Sequence, residues 1–131
     1  MIPRLLVLTA SVSLFWAFGQ SRRKPDSPRF EVVEFKAQRQ EDHIWIDGRV
    51  RNAGQTAVRF PVLVFEFLSS DDKVVSTRRT DLEPDRLGPG EESSFALQAL
   101  PPARAVAVRL EMQDRGRRWY PLARGGPYPI E

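Results

Sequence analysis

The sequence contains no cysteine. That excludes disulfide staples, thiol nucleophiles and thiolate metal ligands, and leaves burial and hydrogen bonding to hold the fold. Histidine is nearly as scarce. His43 stands alone beside Glu41 and Asp42, and one histidine is too few for a zinc triad. It reads as an exposed residue at a strand entry. Met1 and Met112 are the only methionines, so there is no methionine–histidine cluster for copper. Lysine occurs only at positions 24, 36 and 73; arginine carries the positive charge, and the formal net charge is just +3. A dedicated nucleic-acid binder needs a denser local field than that. No P-loop, G-x-G-x-x-G or G-x-S-x-G occurs, which removes the usual signals for nucleotide binding and serine catalysis. The acidic groups Asp71-Asp72 and Asp81-Glu83-Asp85 lack EF-hand spacing and read as solvated loops. No cofactor, metal or catalytic residue is expected. Paired carboxylates for glycoside hydrolysis are not removed by sequence, although a domain of this size has little room for a deep cleft.

Long apolar runs are missing too, with one exception near the start. Met1–Arg4 is short and basic, and Leu5–Phe18 is an apolar run of 14 residues, short for a membrane-spanning helix. Ala17 and Gly19 then occupy the small-residue positions that precede a cleavage point. Residues 1–19 are therefore expected to be a helical signal peptide cut after Gly19, giving a periplasmic or secreted protein with no integral span after cleavage. Arg22, Arg23 and Lys24 argue the other way, because positive charge just past an apolar run resists translocation. An uncleaved N-terminal anchor with the domain facing the cytoplasm is the alternative. Residues 20–29 are polar, contain two prolines and read as a linker.

What remains is ordinary in bulk: 131 residues, 41% apolar, 28% charged, with 11 prolines and 8 glycines. Frequent turn residues and scarce helical periodicity favour short strands. Residues 30–122 are expected to form one β-domain, and residues 123–131, rich in glycine and proline, a flexible tail. Phe30–Ala37 carries Phe30, Val32 or Val33, and Phe35 inward. His43–Asn52 alternates, with Ile44, Ile46, Gly48 and Val50 on one face and Trp45, Asp47, Arg49 and Arg51 on the other. Val58–Leu68 is apolar on both faces and reads as a central strand, interrupted near its start by Pro61. Val74–Thr80 is shorter and more polar. Leu87-Gly88-Pro89-Gly90 suits a type II turn, with Gly90 where φ is positive. Ser93–Leu97, Ala105–Met112 (with Val106, Val108, Leu110 and Met112 on one face) and Arg117–Leu122 complete about seven strands over about 93 residues. That spacing is that of an all-β, two-sheet antiparallel sandwich. Phe95, Val64, Ile46 and Val108 are expected in its core.

Ile46-Asp47-Gly48-Arg49-Val50-Arg51-Asn52-Ala53-Gly54 resembles the opening of FxLYD-type and related bacterial immunoglobulin-like domains, which carry an I-x-G-x-V-x-N-x-G pattern. Leu87-Gly88-Pro89-Gly90-Glu91 followed by Phe95 resembles their turn and following strand. The tyrosine–aspartate pair of the name is replaced here by Phe67-Leu68 and Ser69-Ser70-Asp71. The resemblance covers roughly Phe30–Met112. It implies that the sandwich is immunoglobulin-like and serves as an extracytoplasmic binding or spacer module, and it carries over no catalytic residue. On the residues themselves, Gly48 fits a close backbone approach or a bulge, and Asn52 and Gly54 fit left-handed turn positions.

The expected function is thus a non-catalytic extracytoplasmic binding or adaptor module whose partner is a protein or another envelope component, not a nucleic acid. One alternative is a structural subunit that adds a strand to a partner's sheet, with Val74–Thr80 as the edge. A small carbohydrate-active hydrolase is the other. The candidate interaction residues are Trp45, out of phase with the core and so either a cover for the second sheet's edge or a binding anchor, and the group Arg115, Arg117, Arg118, Trp119 and Tyr120. If Asp114–Gly116 is a hairpin tip, that group sets guanidinium forks for phosphate or carboxylate beside two aromatic rings.

Overall fold

The computed structural model describes residues 28–131. The expected signal segment and residues 20–27 of the expected linker lie outside the described residues. Within them the chain is all-β, with no helix. Six strands are long: β1 (Phe30–Gln40), β2 (His43–Asn52), β4 (Pro61–Leu68), β5 (Val74–Asp81), β7 (Glu92–Ala99) and β8 (Ala107–Asp114). Five are two-residue pieces: β3 (Val58–Arg59), β6 (Arg86–Leu87), β9 (Trp119–Tyr120), β10 (Leu122–Ala123) and β11 (Tyr128–Pro129). The first sheet has the order β10-β1-β2-β7, the second β11-β8-β4-β5 with β9 also on β8, and β3 pairs with β6 alone. The pairing of β10 with β1 is parallel, so the sheets are not wholly antiparallel as the sequence suggested.

Side chains from both larger sheets meet in one core. Phe30, Val32, Ile44, Ile46, Val50 and Phe95 enter it from the first sheet. Leu63, Phe65, Phe67, Val108, Leu110 and Met112 enter it from the second. Phe95 packs edge-on to Phe65, with ring centroids 5.8 Å apart and planes at 62°. The alternation read from β2 holds residue by residue: Ile44, Ile46, Gly48 and Val50 are buried, and Trp45, Asp47 and Arg51 are exposed. β4 is buried on both faces, also as expected, but its second face has an unusual cover. Val62 and Val64 sit opposite Gln113 and Glu111 of β8 and Asp81 and Arg79 of β5. Arg79 reaches diagonally to hydrogen-bond Gln113. Its aliphatic stem thereby crosses the two valines while its charged head stays on the surface.

Four local expectations are corrected. Phe60 takes up a positive φ of 53°, and this breaks the expected strand Val58–Leu68 into β3 and β4 just before Pro61. Neither Asn52 nor Gly54 is among the residues with positive φ. Asn52 instead serves as a buried bracket. Its Nδ2 donates to the carbonyls of Thr56 at 3.0 Å and Leu87 at 2.9 Å, and its Oδ1 accepts the Gly54 N–H at 2.9 Å. Val106 lies outside β8 and is 46% exposed, so that core face begins at Val108. Residues 123–131, expected to be a flexible tail, are tied to both larger sheets. Tyr128 and Pro129 pair with Val108 and Ala107, and the Arg39 N–H donates to the Glu131 carbonyl at 2.6 Å. The Phe35 and Tyr128 rings stack at 4.2 Å and 18°, closing that side of the core. The glycine–proline pattern here marks a sharp path between sheets, and not disorder.

Candidate functional site

The core pattern of β2 fixes what its other face presents. Trp45, Asp47, Arg49 and Arg51 point away from the core, each in register with neighbours on β1 and β7. The rows read Gln38–Trp45–Gln98, Lys36–Asp47–Ala96, Glu34–Arg49–Ser94 and Glu31–Arg51–Glu92. The two arginine rows are ion-paired: Arg51 to Glu31 at 2.7 Å, and Arg49 to Glu92 at 2.9 Å and to Glu34 at 3.4 Å. Trp45 ends this ladder between two glutamines and is 46% exposed. It does not cover an edge of the second sheet; its face is the one opposite the core. Beside it runs a shallow groove of about 210 Å³ lined by Trp45, Ile46, Asp47, Ala96, Leu97 and Gln98. An indole half out of water, with amide donors and acceptors on both flanks and a carboxylate one row away, is a surface equipped to hold a partner by area and by hydrogen bonds together.

The second group of candidate residues sits where β8 turns back into β9. Arg117 takes up a positive φ of 70°, its N–H donates to the Asp114 carbonyl at 2.9 Å, and Asp114 Oδ1 accepts the Arg118 N–H at 3.0 Å. Asp114 Oδ2 accepts the Tyr120 hydroxyl at 2.8 Å. Tyr120 in turn lies edge-on to Phe30, with centroids 5.8 Å apart, while Trp119 stands 54% exposed. The arginines are brought to one hairpin but not onto one point. Arg115 stacks over Phe60 at 4.3 Å and lies 3.9 Å from Asp81, and Arg118 lies over Tyr120 at 5.3 Å. Aromatic faces thus hold two of the three guanidinium groups apart.

Burial pushes the Asp114 carboxyl up, but the Arg118 N–H, the Tyr120 hydroxyl, the Gly116 N–H and the Arg118 charge outweigh it and hold it below its ordinary value. A carboxyl whose folded-state value is depressed stabilises the fold fully above the unfolded value, and that contribution is lost as pH falls through the folded one. Asp114→Ala is therefore expected to cost roughly 1–2 kcal/mol at neutral pH. The gap from the unmodified protein should close as the solution is acidified below the ordinary carboxylate range. Urea unfolding of both proteins at a series of pH values measures this directly.

On the outer face of the second sheet, Glu66 accepts both Nε and Nη2 of Arg109, at 3.0 and 2.8 Å. Glu111 is held above its ordinary value, first by burial and then by its hydrogen bond to Glu66 and the charge there, against the pull of Arg109. This is a flat network in which Arg109 joins two carboxylates, Glu66 and Glu111. His43 Nδ1 lies 3.0 Å from Asp42 Oδ1 at the β1–β2 turn, Asp71 is engaged by Ser69, and Asp81 by Arg115. Among the described residues no group of three or more metal-ligating side chains comes together.

Sequence reasoning missed the flanking glutamines and the edge of β7 that has no strand beside it among the described residues. The signal for the first was present, since Gln98 alternates with the core residues Phe95 and Ala99. Its place beside Trp45 needed the β2–β7 register.

A profile for the family described as a protein of unknown function, DUF3426, matches residues 26–120. The chain belongs to that family. The DUF3426 match ends at the last residue of β9, so β10, β11 and the pairing of Glu131 with β1 lie beyond it. Comparison with curated proteins gives no match. Among solved structures, IrmA from Escherichia coli is similar in fold, with a TM-score of 0.51 at 8% identity over 80% of this chain and 99% of IrmA. A β-glucosidase from Kluyveromyces marxianus in complex with glucose overlaps at a TM-score of 0.37 and 19% identity, over 67% of this chain but 12% of the glucosidase. Its selenomethionine-labelled form gives 0.40 and 17% identity, over 80% of this chain and 14% of the glucosidase. Overlaps that loose bear on neither fold nor function.

Proposed function

We propose that this DUF3426 chain is a non-catalytic, extracytoplasmic binding or adaptor module built as an immunoglobulin-like sandwich. The shared core of the two larger sheets and the resemblance of Ile46–Gly54 to FxLYD-type openings support the architecture. The apolar run Leu5–Phe18 and the small residues Ala17 and Gly19 support export. On that reading, mass spectrometry of the protein from its native envelope finds Gln20 at the N-terminus. An intact Met1 on a form with a protease-protected cytoplasmic domain is the contrary result.

One observation carries the binding role: Trp45, 46% exposed between Gln38 and Gln98 on a face whose two arginines are tied in ion pairs. A large indole left half in water on a surface strand anchors a partner at small cost in side-chain entropy. Trp45→Ala is expected to lower retention on the envelope partner by about tenfold or more, a loss typical of a central aromatic anchor. Thermal unfolding should hardly change, because the residue lies outside the core. Equal retention of the variant, or no retention of the unmodified protein, defeats the reading. The edges of β5 and β7, open among the described residues, favour a second reading, addition of a strand to a partner's sheet.

A further inference from the structure

Two long strands have a neighbour on one side only among the described residues: β5, which pairs with β4, and β7, which pairs with β2. They are protected very differently. β5 carries Arg78, Arg79 and Asp81 along its length and is polar on both faces. Charge on an edge strand is the usual guard against pairing with another chain. From Ser93 to Ala99, β7 reads Ser-Ser-Phe-Ala-Leu-Gln-Ala, with neither a charge nor a proline.

The backbone of β7 shows which groups face outward. The Asn52 N–H donates to the Glu91 carbonyl at 2.9 Å, one step beyond the register pair Arg51–Glu92. In an antiparallel ladder bonded and non-bonded pairs alternate. Counting on from Glu91, Ser93, Phe95, Leu97 and Ala99 bond to β2. Ser94, Ala96 and Gln98 therefore turn their N–H and C=O groups to the open edge. Their side chains lie on the exposed face and are small or neutral.

We propose that β7 pairs antiparallel with β7 of a second copy of this chain, about a two-fold axis through Ala96, joining two first sheets into one. This deepens the strand-addition reading and rests on it, not on Trp45. The register is set by the groups just named. With Ala96 opposite Ala96 of the second copy, Ser94 falls opposite Gln98 and Gln98 opposite Ser94. Every outward N–H and C=O in the run then meets its counterpart. On the core side Phe95 falls opposite Leu97, a residue only partly buried in the single chain and packed against the core. No like charges face each other at any step. The Ser93 hydroxyl donates to the Glu83 carbonyl at 2.6 Å, which places the loop before β6 at the start of the strand and leaves Ser94 onward as the pairing segment.

The test uses the absence of native cysteine. Ala96→Cys places the two thiols on the axis, at a Cα separation suited to a disulfide. Under mild oxidation the purified chain is expected to form a covalent dimer, whereas Thr77→Cys on β5 stays monomeric. Ser94→Cys and Gln98→Cys should cross-link when mixed and not alone. In sedimentation equilibrium the unmodified chain should reach twice its monomer mass as concentration rises, and Ala96→Lys should reduce the dimer fraction about tenfold by setting two charges face to face. An unmodified chain that stays monomeric overturns the proposal. So does an Ala96→Lys variant that still dimerises, or an Ala96→Cys variant that oxidises no faster than Thr77→Cys. Retention by way of Trp45 is measured separately, so loss of the dimer with that retention intact leaves the binding role standing.

Discussion

Phe95→Ala is expected to lower unfolding stability by about 3–5 kcal/mol, the range for deleting a buried aromatic ring from a core that relaxes only in part. The position justifies the upper half of that range. Phe95 is 5% exposed and contacts rings from both larger sheets: Phe65 of β4 at 5.8 Å and Phe35 of β1 at 6.4 Å. Phe35 continues the line by stacking on Tyr128 of β11. Four aromatic rings thus run from the second sheet through the first and back to the second, and Phe95 is the link on β7. Its removal deletes the ring contacts that Phe65 and Phe35 each make with it. Denaturant titration gives the number. A loss under about 1 kcal/mol would place Phe95 outside the core.

That residue was legible in the sequence, and so was much of its surroundings. The alternation of Ile44, Ile46, Gly48 and Val50 gave the inward face of β2 and its bounds, because a half-buried strand writes its burial into every second position. Gly90 at φ 78°, with the Glu91 N–H donating to the Gly88 carbonyl at 3.1 Å, is the turn that Pro89-Gly90 announced. Where β1 was ambiguous between Val32 and Val33, the structure has a register shift between Val32 and Glu34. Phe30 and Val32 point inward on one phase, Phe35 and Ala37 on the other. The ambiguity was the bulge.

Other features were not written locally. Residues 123–131 look like a loose end because their partners, Val108, Ala107 and Arg39, lie far away in sequence. Trp45 could be placed on a face but not beside Gln38 and Gln98, since that row exists only once β1 and β7 flank β2. The open edge of β7 depends on the order of strands in a sheet, which no single strand encodes. The polar strand β5 drew attention as an edge for its composition. The less guarded edge is the one whose composition resembles a covered strand.

Gly48→Ala should be the most damaging single-methyl substitution in the domain, with an expected loss of at least about 4 kcal/mol or failure to fold. The sequence marks Gly48 only as a glycine in the middle of a strand, which ordinarily means a bulge or a close backbone approach. Here it means both. Opposite Gly48 the bulged stretch of β1 places the Glu34 carbonyl oxygen 2.1 Å from where a Cβ would be, and from the core side the tip of the Phe95 ring is 2.7 Å from the same point. The ring tip belongs to a side chain that can rotate. The carbonyl is backbone, held by the β1–β2 ladder on both sides of the bulge, and moving it strains the pairing of the two strands that carry Trp45 and Gln38. The two contacts can be separated. If the ring were the main obstacle, trimming it would make room, and Gly48→Ala would cost little in a Phe95→Leu background. With the carbonyl as the obstacle, the alanine should cost nearly as much in that background as in the unmodified protein, which a double-mutant cycle reads from four unfolding curves. A cycle in which most of the penalty vanishes with Phe95→Leu would show that the glycine serves the aromatic line and not the bulge.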